Sequence, residues 1–314
     1  MSLMPTTKCR RLQALASQLV GAAVAPTGTP QSQPASTSAA EQLRLRLQTR
    51  DAQGAAVATT EAWAPAETAI IVCDMWNLHP CLNATRRGAE LCPTMDRLLG
   101  ALRSQGATVI HAPSGCMSKY EGTPARQRAQ SAPAVPNPPP GIDEWQYNSA
   151  REPFGKGSGP RDQQGPNAEG EGCSGGYPVD QRGNTGSVGD DTPAEHAAWC
   201  TTLKDAGLYP DPITHQTAAL TIDHEVDFIS DVGSEVWNVL ESRGIANVLL
   251  CGVHTNMCVL GRPFGLRQLV SLGKNVALLR DMTVREFETE RSLHAMSTHH
   301  ARVSHVAFMR TMIV

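Results

Sequence analysis

The chain has 314 residues, a net charge of −3 and 18% charged residues, so it is long enough for one large domain or two small ones. The weak net charge, with no basic stripe and no nucleic-acid-binding motif, argues against a nucleic-acid partner. No apolar run reaches the ~18 residues that a membrane span needs, so no membrane partner is expected. The nine cysteines are scattered without a CxxC pair, which predicts mostly reduced thiols.

Residues 1–42 are predicted to form a tail outside the folded domain. The first 40 residues contain no Asp or Glu, carry three basic residues near the start and are rich in Ser, Thr, Ala and Pro. This composition fits a targeting or secretory peptide as well as a disordered tail. We favour a disordered tail on a cytoplasmic protein, with organelle targeting and secretion as the alternatives.

Residues 43–314 are predicted to form one domain that begins with two strands. Charged and apolar residues alternate over 43–51, which is the pattern of an edge strand. The run 69–76, AIIVCDMW, is mostly apolar and flanked by breakers, which is typical of a strand buried on both faces. This second strand ends in a carboxylate and an indole, and both are candidate site residues.

A helix and a third strand follow. Apolar residues recur at helical spacing over 84–105, where Pro93 is predicted to mark the first turn and Gly106 the C-cap. The stretch 107–114 is predicted to be the next buried strand. A strand, a helix and a strand over about forty residues predict a right-handed crossover between parallel strands.

Residues 121–215 interrupt this alternation and are predicted to be an insertion. Gly and Pro are frequent around positions 136 and 170, and the segment is too long for an ordinary connection. Long loops often carry function, so the insertion is a candidate lid over the site.

The alternation of strands and helices returns after the insertion. The expected elements are strands at 219–222, 247–253, 275–281 and 305–314, and helices at 233–243, 259–272 and 285–301. This order predicts an α/β fold, a three-layer α/β/α sandwich around a Rossmann-like, mostly parallel sheet of about six strands.

Reactive side chains occur where these strands end, and in an open parallel sheet the carboxyl ends face one crevice. Asp74 ends one strand, and Cys258 lies where a later strand meets a helix. The unpaired N–H groups and partial positive charge of that helix would lower the pKa of the thiol. A thiol beside a carboxylate indicates a nucleophile with its base. The alternative for Cys258 is an unreactive cysteine in the core. The alternative for Asp74 is a carboxylate that caps backbone N–H groups at the end of its strand.

The segment 252–259, GVHTNMCV, together with the aspartate of VCDMWN, resembles the isochorismatase-like cysteine hydrolases, a superfamily that includes nicotinamidase. The resemblance covers about residues 65–120 and 215–314 and excludes the tail and the insertion. It implies that Cys258 is the nucleophile and that Asp74 accepts its proton.

The same resemblance has implications for the nucleophile turn. It implies a cis peptide bond between Val253 and His254. It also implies that the backbone amides of His254 and Cys258 form an oxyanion hole. Such donors stabilise the negative charge that develops on the substrate oxygen in the transition state.

The family pattern contains a lysine before the helix that precedes the nucleophile strand, and this chain departs from it. No lysine occurs between Lys204 and Lys274. The candidate substitutes for the lysine are His224, Glu225 and Lys204. The missing lysine motivates a second hypothesis, a binding or scaffold protein that has the fold and lacks the activity.

Other candidates are assigned to the same crevice. The predicted substrate pocket consists of Trp76, Asn77, His79, His111 and Asn256. A divalent metal held by His79, His111 and His254 is a further hypothesis, because imidazole suits zinc. Hydrogen-bonded or surface histidines are the favoured alternative, and no cofactor is expected to be required. For Arg262 and Arg267, pairing with acids on a neighbouring helix is favoured over carboxylate binding.

The sequence therefore predicts a hydrolase that cleaves a small amide or a related C–N bond through a thioester-type intermediate. Its partner would be a small-molecule substrate, and the resemblance implies a homo-oligomer. The alternatives are the binding or scaffold protein and a metal-assisted hydrolase.

Overall fold

The computed structural model describes residues 42–51, 53–146, 191–284 and 310–312. The strands are β1 (Leu43–Arg50), β2 (Ala56–Trp63), β3 (Thr68–Cys73), β4 (Thr108–Ala112), β5 (Phe228–Ile229), β6 (Asn247–Val253), β7 (Asn275–Val284) and β8 (Arg310–Met312). The helices are α1 (Leu82–Ser104), α2 (Pro124–Gln130), α3 (Pro193–Asp205), α4 (Gly233–Ser242) and α5 (Leu266–Ser271). None of these helices is both long and apolar enough to cross a membrane.

The described strands form one sheet in the order β2-β1-β8-β7-β6-β3-β4-β5. Strands β3 to β8 are parallel to their neighbours within this group, and β1 is antiparallel to both β2 and β8. The predicted α/β fold with a mostly parallel sheet is confirmed. The edge-strand prediction for 43–51 is wrong, because β1 has a partner on each side and β2 lies at the edge.

The central strand β3 is buried along its whole length. Successive side chains of a strand point to opposite faces of the sheet. Ile70 packs in a core cluster with Leu99 of α1, whereas Ile71 packs in a second cluster with Leu240 of α4. Helices therefore cover β3 on both faces, which is why its sequence is a continuous apolar run.

Helix α1 begins earlier than the sequence predicts. Pro93 lies inside the helix, so its assignment to the first turn is wrong. The first turn is stabilised instead by the carboxylate of Asp191, which accepts hydrogen bonds of 2.7 Å from the amides of Leu82 and Asn83. Gly106 follows the C-cap with a positive φ of 91°, as the sequence predicts.

The strand predicted at 219–222 is a turn. The amide of Leu220 donates to the carbonyl of Thr217, and the amide of Thr221 donates to Oδ1 of Asp96 at 2.7 Å. These bonds occupy the backbone groups that a strand would use for pairing. The strand of this region is β5, a few residues later, which pairs with β4.

The single helix predicted over 259–272 is interrupted. A π-helical turn spans Thr255–Val259, and α5 begins only at Leu266. Pro263 lies between them and has no N–H to continue a helical ladder. The helix predicted at 285–301 and the middle of the insertion, 147–190, lie outside the described residues.

Gly252 allows β6 to approach the end of β3 closely. It lies opposite Cys73 in the parallel register, with a φ of 109°. A Cβ atom at this position would lie 2.0 Å from the carbonyl oxygen of Cys73, which is a severe backbone clash. Because Gly252 has no side chain, the turn after β6 can lie next to Asp74, the residue after Cys73.

We expect Gly252→Ala to lower the free energy of unfolding by at least about 3 kcal/mol, because a strained φ and a backbone clash coincide. Denaturant unfolding measures the change. Gly273→Ala is the matched control, since Gly273 has a φ of 83° but nothing within 4 Å of its Cβ position. An equal loss of unfolding free energy in both variants would show that the close approach of Gly252 to Cys73 contributes nothing to the cost of the substitution.

Candidate active site

Asp74 stands at the carboxyl end of β3 and is 1% exposed. Its φ of 48° turns the chain out of the strand, a conformation that Asp adopts more readily than most residues. Its Oδ1 accepts hydrogen bonds from the amide of Ser114 at 2.8 Å and from the Ser114 hydroxyl at 2.5 Å. Its Oδ2 lies 3.7 Å from Nη2 of Arg262. The carboxylate is therefore fixed, with one oxygen towards a cation.

Cys258 lies in the π-helical turn after β6 and is 2% exposed. Its side chain interacts electrostatically with both the Asp74 carboxylate and the Arg262 guanidinium. Burial raises the pKa of the thiol well above its usual value, Asp74 raises it further, and Arg262 lowers it. This differs from the lowered pKa expected from sequence, because burial and the carboxylate outweigh the helix terminus. The resting thiol is therefore protonated, with the Asp74 carboxylate nearby.

Arg262 supplies the positive charge of the site. Its amide donates to the carbonyl of Cys258 at 3.1 Å, so the two residues are one helical turn apart and project together. Its guanidinium also donates to the Ser114 hydroxyl and lies 4.6 Å from the ring centroid of Trp145. Burial opposes its charge, but Asp74, Cys258 and Asp231 together raise the pKa of Arg262. It therefore remains a cation at any working pH.

The partner of Arg262 is a carboxylate at the end of the central strand, whereas the sequence favoured an acid on a neighbouring helix. Arg267, the other arginine of this region, donates to the carbonyl of Gln146 at 2.9 Å. Sequence reasoning misses Arg262 as a site residue because the family pattern places its cation before β6. The sequence does contain a signal for this role, because Arg262 lies four residues after Cys258, the spacing at which two side chains of a helical turn project together.

The three predicted lysine substitutes lie elsewhere in the structure. The ammonium group of Lys204 in α3 lies 4.6 Å from the centroid of the Tyr209 ring. Glu225 is exposed and His224 is half-buried, and the backbone carbonyls of both accept from Arg128. No contact recorded for the described residues joins any of the three to Cys258 or Asp74.

Two buried histidines flank the turn that carries Cys258. His254 is fully buried, and the Val253–His254 peptide bond is cis. The His254 ring meets His79 edge-on at 5.0 Å between centroids, and His79 stacks on Trp76 at 5.7 Å. Burial lowers the pKa of His79 to about 3 and that of His254 well below its usual value. Both rings are therefore neutral, and neither nitrogen of His254 has a hydrogen-bond partner among the described residues.

The predicted pocket residues have different surroundings. Asp74, Trp76, His79 and Val253 line a small cavity beside α1. Trp76 also donates from Nε1 to the carbonyl of Ser114 at 2.8 Å, which fixes the loop after β4. Asn77 does not face this cavity, and its side-chain oxygen accepts from the amides at 214 and 215. The side chain of Asn256 lies outside the described residues.

His111 is held by a structural network. Its two ring nitrogens lie 3.1 Å from Gln216 Oε1 and 3.2 Å from Asp227 Oδ2. Asp227 in turn pairs with Arg103 at 2.7 Å. Both nitrogens of His111 are thus occupied, and the described part of the chain contains no group of three or more His, Cys, Asp or Glu able to hold a metal. The residues present do not fit the three-histidine metal site.

Comparison with known proteins finds only distant similarity. No family model and no curated protein matches the chain. Solved structures similar to it include hydrolases and isochorismatase-family proteins. One is a cysteine hydrolase from Pseudomonas syringae pv. phaseolicola, at 16% identity over 79% of this chain and 90% of that chain, with a TM-score of 0.38. Another is an isochorismatase family protein from Burkholderia thailandensis, at 13% identity over 78% and 90%, with a TM-score of 0.37.

A further similar structure is the pyrazinamidase of Pyrococcus horikoshii in complex with zinc, at 12% identity over 78% of this chain and 98% of that chain, with a TM-score of 0.35. The names of these proteins agree with the family that the segments around Asp74 and Cys258 resemble. At such low identity and TM-score, the chemistry of this chain has to be argued from its own residues.

Proposed function

We propose that this chain is a cysteine-dependent hydrolase of a small amide or a related C–N bond. The observation that carries the proposal is the buried group of Cys258, Asp74 and Arg262, in which the guanidinium lies 3.7 Å from the carboxylate and both charges act on the thiol. A thiol attacks only as the thiolate, so it needs a proton acceptor and a stabilising charge. Asp74 supplies the acceptor and Arg262 the stabilising charge.

The first half of the reaction makes an acyl-enzyme. Asp74 takes the proton of Cys258, and the sulfur forms a bond to the substrate carbonyl carbon. The carbonyl electron pair moves to oxygen, where the backbone amides of His254 and Cys258 hold the negative charge. The intermediate then collapses, the C–N bond breaks, and Asp74 gives its proton to the departing amine.

The second half returns the enzyme to its resting state. Asp74 removes a proton from a water molecule, which attacks the thioester carbonyl. The C–S bond breaks, the carboxylic acid leaves, and the proton returns to Cys258. Arg262 acts whenever sulfur carries charge, since its positive charge lowers the pKa of Cys258 and so favours the thiolate over the thiol. No redox step is involved.

The alternative of a binding or scaffold protein was motivated by the missing lysine. Arg262 removes that motive, because a permanent cation lies beside Cys258 without it. A metal-assisted reaction has no support from the described donor set, and we derive no step through a metal.

The test is an ammonia-release screen of small primary amides with the wild-type chain and Asp74→Asn. We expect wild-type turnover of at least one amide and a loss of about 10³-fold in Asp74→Asn, because the variant cannot accept the thiol proton. Asn can still accept from Ser114, so the fold should survive. Glu144→Gln removes an exposed charge as the control. Equal rates in wild type and Asp74→Asn would exclude the proposal.

A further inference from the structure

A small cavity lies where the carboxyl ends of β3 and β6 face helix α1. Asp74 and Val253 line it from the side of the sheet, and Thr85 and Gly88 line it from α1. The volume open to the centre of a water molecule is about 10 Å³. This is close to the least space that a buried water needs, so the cavity has the size of a single water.

Asp74 brings an unsatisfied acceptor to this cavity. Its Oδ1 is occupied by the amide and the hydroxyl of Ser114, whereas its Oδ2 is buried and has no hydrogen-bond partner among the described residues. The guanidinium of Arg262 lies 3.7 Å from Oδ2, which is longer than a hydrogen bond. A buried carboxylate oxygen without a donor is costly, and buried waters typically bond to such groups.

Thr85 adds a second hydrogen-bonding group on the helix side. Its hydroxyl lies 3.3 and 3.2 Å from the carbonyls of His79 and Cys81, and it accepts from the amide of His79 at 2.9 Å. A hydroxyl has two lone pairs, so one of them remains able to accept from a water. A water in the cavity therefore has an acceptor for each of its hydrogens. The other lining residues are apolar or neutral, namely Met75, Trp76, Leu78, His79, Ala84 and Val253.

The wall that Leu78 and His79 form is held by hydrogen bonds. Nδ1 of His79 accepts from the amide of Cys81 at 2.9 Å, and the carbonyl of His79 accepts from Nε1 of Trp199 at 3.0 Å. Asp191 holds the first turn of α1 next to this wall. These bonds favour a cavity of constant size.

Gly88 leaves the helix side of the cavity open. It lies inside α1, where glycine destabilises a helix relative to alanine. A Cβ atom at Gly88 would have nothing within 4 Å, so no close approach requires glycine here. Gly100 in the same helix also has nothing within 4 Å of its Cβ position, but it is exposed and does not line the cavity. The two glycines therefore differ in their place relative to Asp74.

Within the proposed hydrolase, on which this step rests, we propose that the cavity binds the water that attacks the acyl-enzyme and that Gly88 keeps this site open. The water donates one hydrogen bond to Oδ2 of Asp74 and the other to Oγ1 of Thr85, which leaves its lone pairs for the attack. Asp74 takes one proton as the water oxygen bonds to the thioester carbonyl carbon. The C–S bond then breaks with its electron pair on sulfur, the carboxylic acid leaves, and the proton passes from Asp74 to the sulfur of Cys258.

The test separates the two halves of the reaction with 4-nitrophenyl acetate, an activated ester. The sulfur of Cys258 takes the acetyl group and 4-nitrophenolate leaves, so the initial burst of nitrophenolate measures acylation. Water then hydrolyses the acetyl thioester, so the rate after the burst measures this second step. Peptide mass spectrometry assigns the acetyl group to Cys258 and follows its loss once the excess ester is removed.

Gly88→Leu is expected to slow the loss of the acetyl group about 10²-fold, because its side chain displaces the water from its place beside Asp74. Gly88→Ala should slow it less, since a methyl group fills less of the cavity. Acylation should keep its wild-type rate in both variants. Gly100→Ala is the matched control and should change neither rate. Both alanine variants should raise the midpoint of thermal unfolding, so slower deacylation would not reflect loss of the fold.

The outcomes separate the two proposals. An acetyl group that leaves Cys258 at the wild-type rate in Gly88→Leu would overturn the water site and leave the hydrolase proposal intact. A Gly88→Leu variant in which acylation is slowed as much as deacylation would also overturn it, because the cavity would then hold part of the substrate. A wild-type Cys258 that takes no acetyl group would overturn both.

Discussion

Replacing Cys258 with Ala is expected to lower kcat by at least about 10⁴-fold, because the acyl-enzyme of the proposed reaction forms on its sulfur. Cys258→Ser should lose nearly as much. A hydroxyl is far harder to deprotonate than a thiol, and a single carboxylate has no means of activating it. The rates are measured with whichever amide the ammonia-release screen identifies.

Cys251 provides the matched control for this substitution. It is a free, fully buried cysteine of β6, seven residues before Cys258, and burial raises its pKa to about 12. Cys251→Ala should lower stability through the small cavity that it leaves and should retain turnover. Turnover that survives Cys258→Ala but is lost in Cys251→Ala would contradict the assignment of the nucleophile.

Replacing Arg262 with Gln is expected to lower kcat/KM by about 10²- to 10³-fold, because the thiolate loses its stabilising cation. The same change should lower the free energy of unfolding by about 3–5 kcal/mol, since the buried carboxylate of Asp74 is left without its charge partner. Arg262→Lys should recover part of both losses, because an ammonium keeps the charge but not the fork of donors.

A pH profile separates the catalytic effect of Arg262 from the structural one. Arg262 lowers the pKa of Cys258, so its removal should shift the alkylation profile of that thiol to higher pH. Arg243→Gln is the control, since Arg243 donates to Thr108 at the amino end of β4. The candidate site lies at the opposite, carboxyl ends of the strands. An Arg262→Gln variant with an unshifted profile and wild-type turnover would exclude Arg262 from the site.

The elements that the sequence predicts well are those whose signal is local. The buried strands β3, β4 and β6 are long apolar runs, and α4 has a clear helical spacing. The elements that it predicts poorly depend on distant partners. The turn at 219–222 is fixed by Asp96, 125 residues away, and the first turn of α1 by Asp191, more than 100 residues away. Contacts between residues so far apart leave no periodic pattern in a short stretch of sequence.

The same distinction applies to the candidate site. Asp74 and Cys258 follow apolar strands in recognisable segments, so both could be proposed as site residues from the sequence. The role of Arg262 is harder to recognise, because it arises where the loops after β3, β4 and β6 converge and bring Arg262 against Asp74 and Ser114. The family pattern places its lysine before β6, whereas the structure places a cation next to Asp74 that comes from the chain after Cys258.

The most direct test of the account is the capture of an acyl-enzyme. The wild-type chain is mixed with a turned-over amide, quenched in acid within the first turnovers and analysed by intact-protein and peptide mass spectrometry. We predict an added mass equal to the acyl group, located on Cys258, that disappears as the carboxylic acid forms. Formation of the acid at full rate with no acyl group on Cys258, in wild type and in Cys258→Ala alike, would contradict the account.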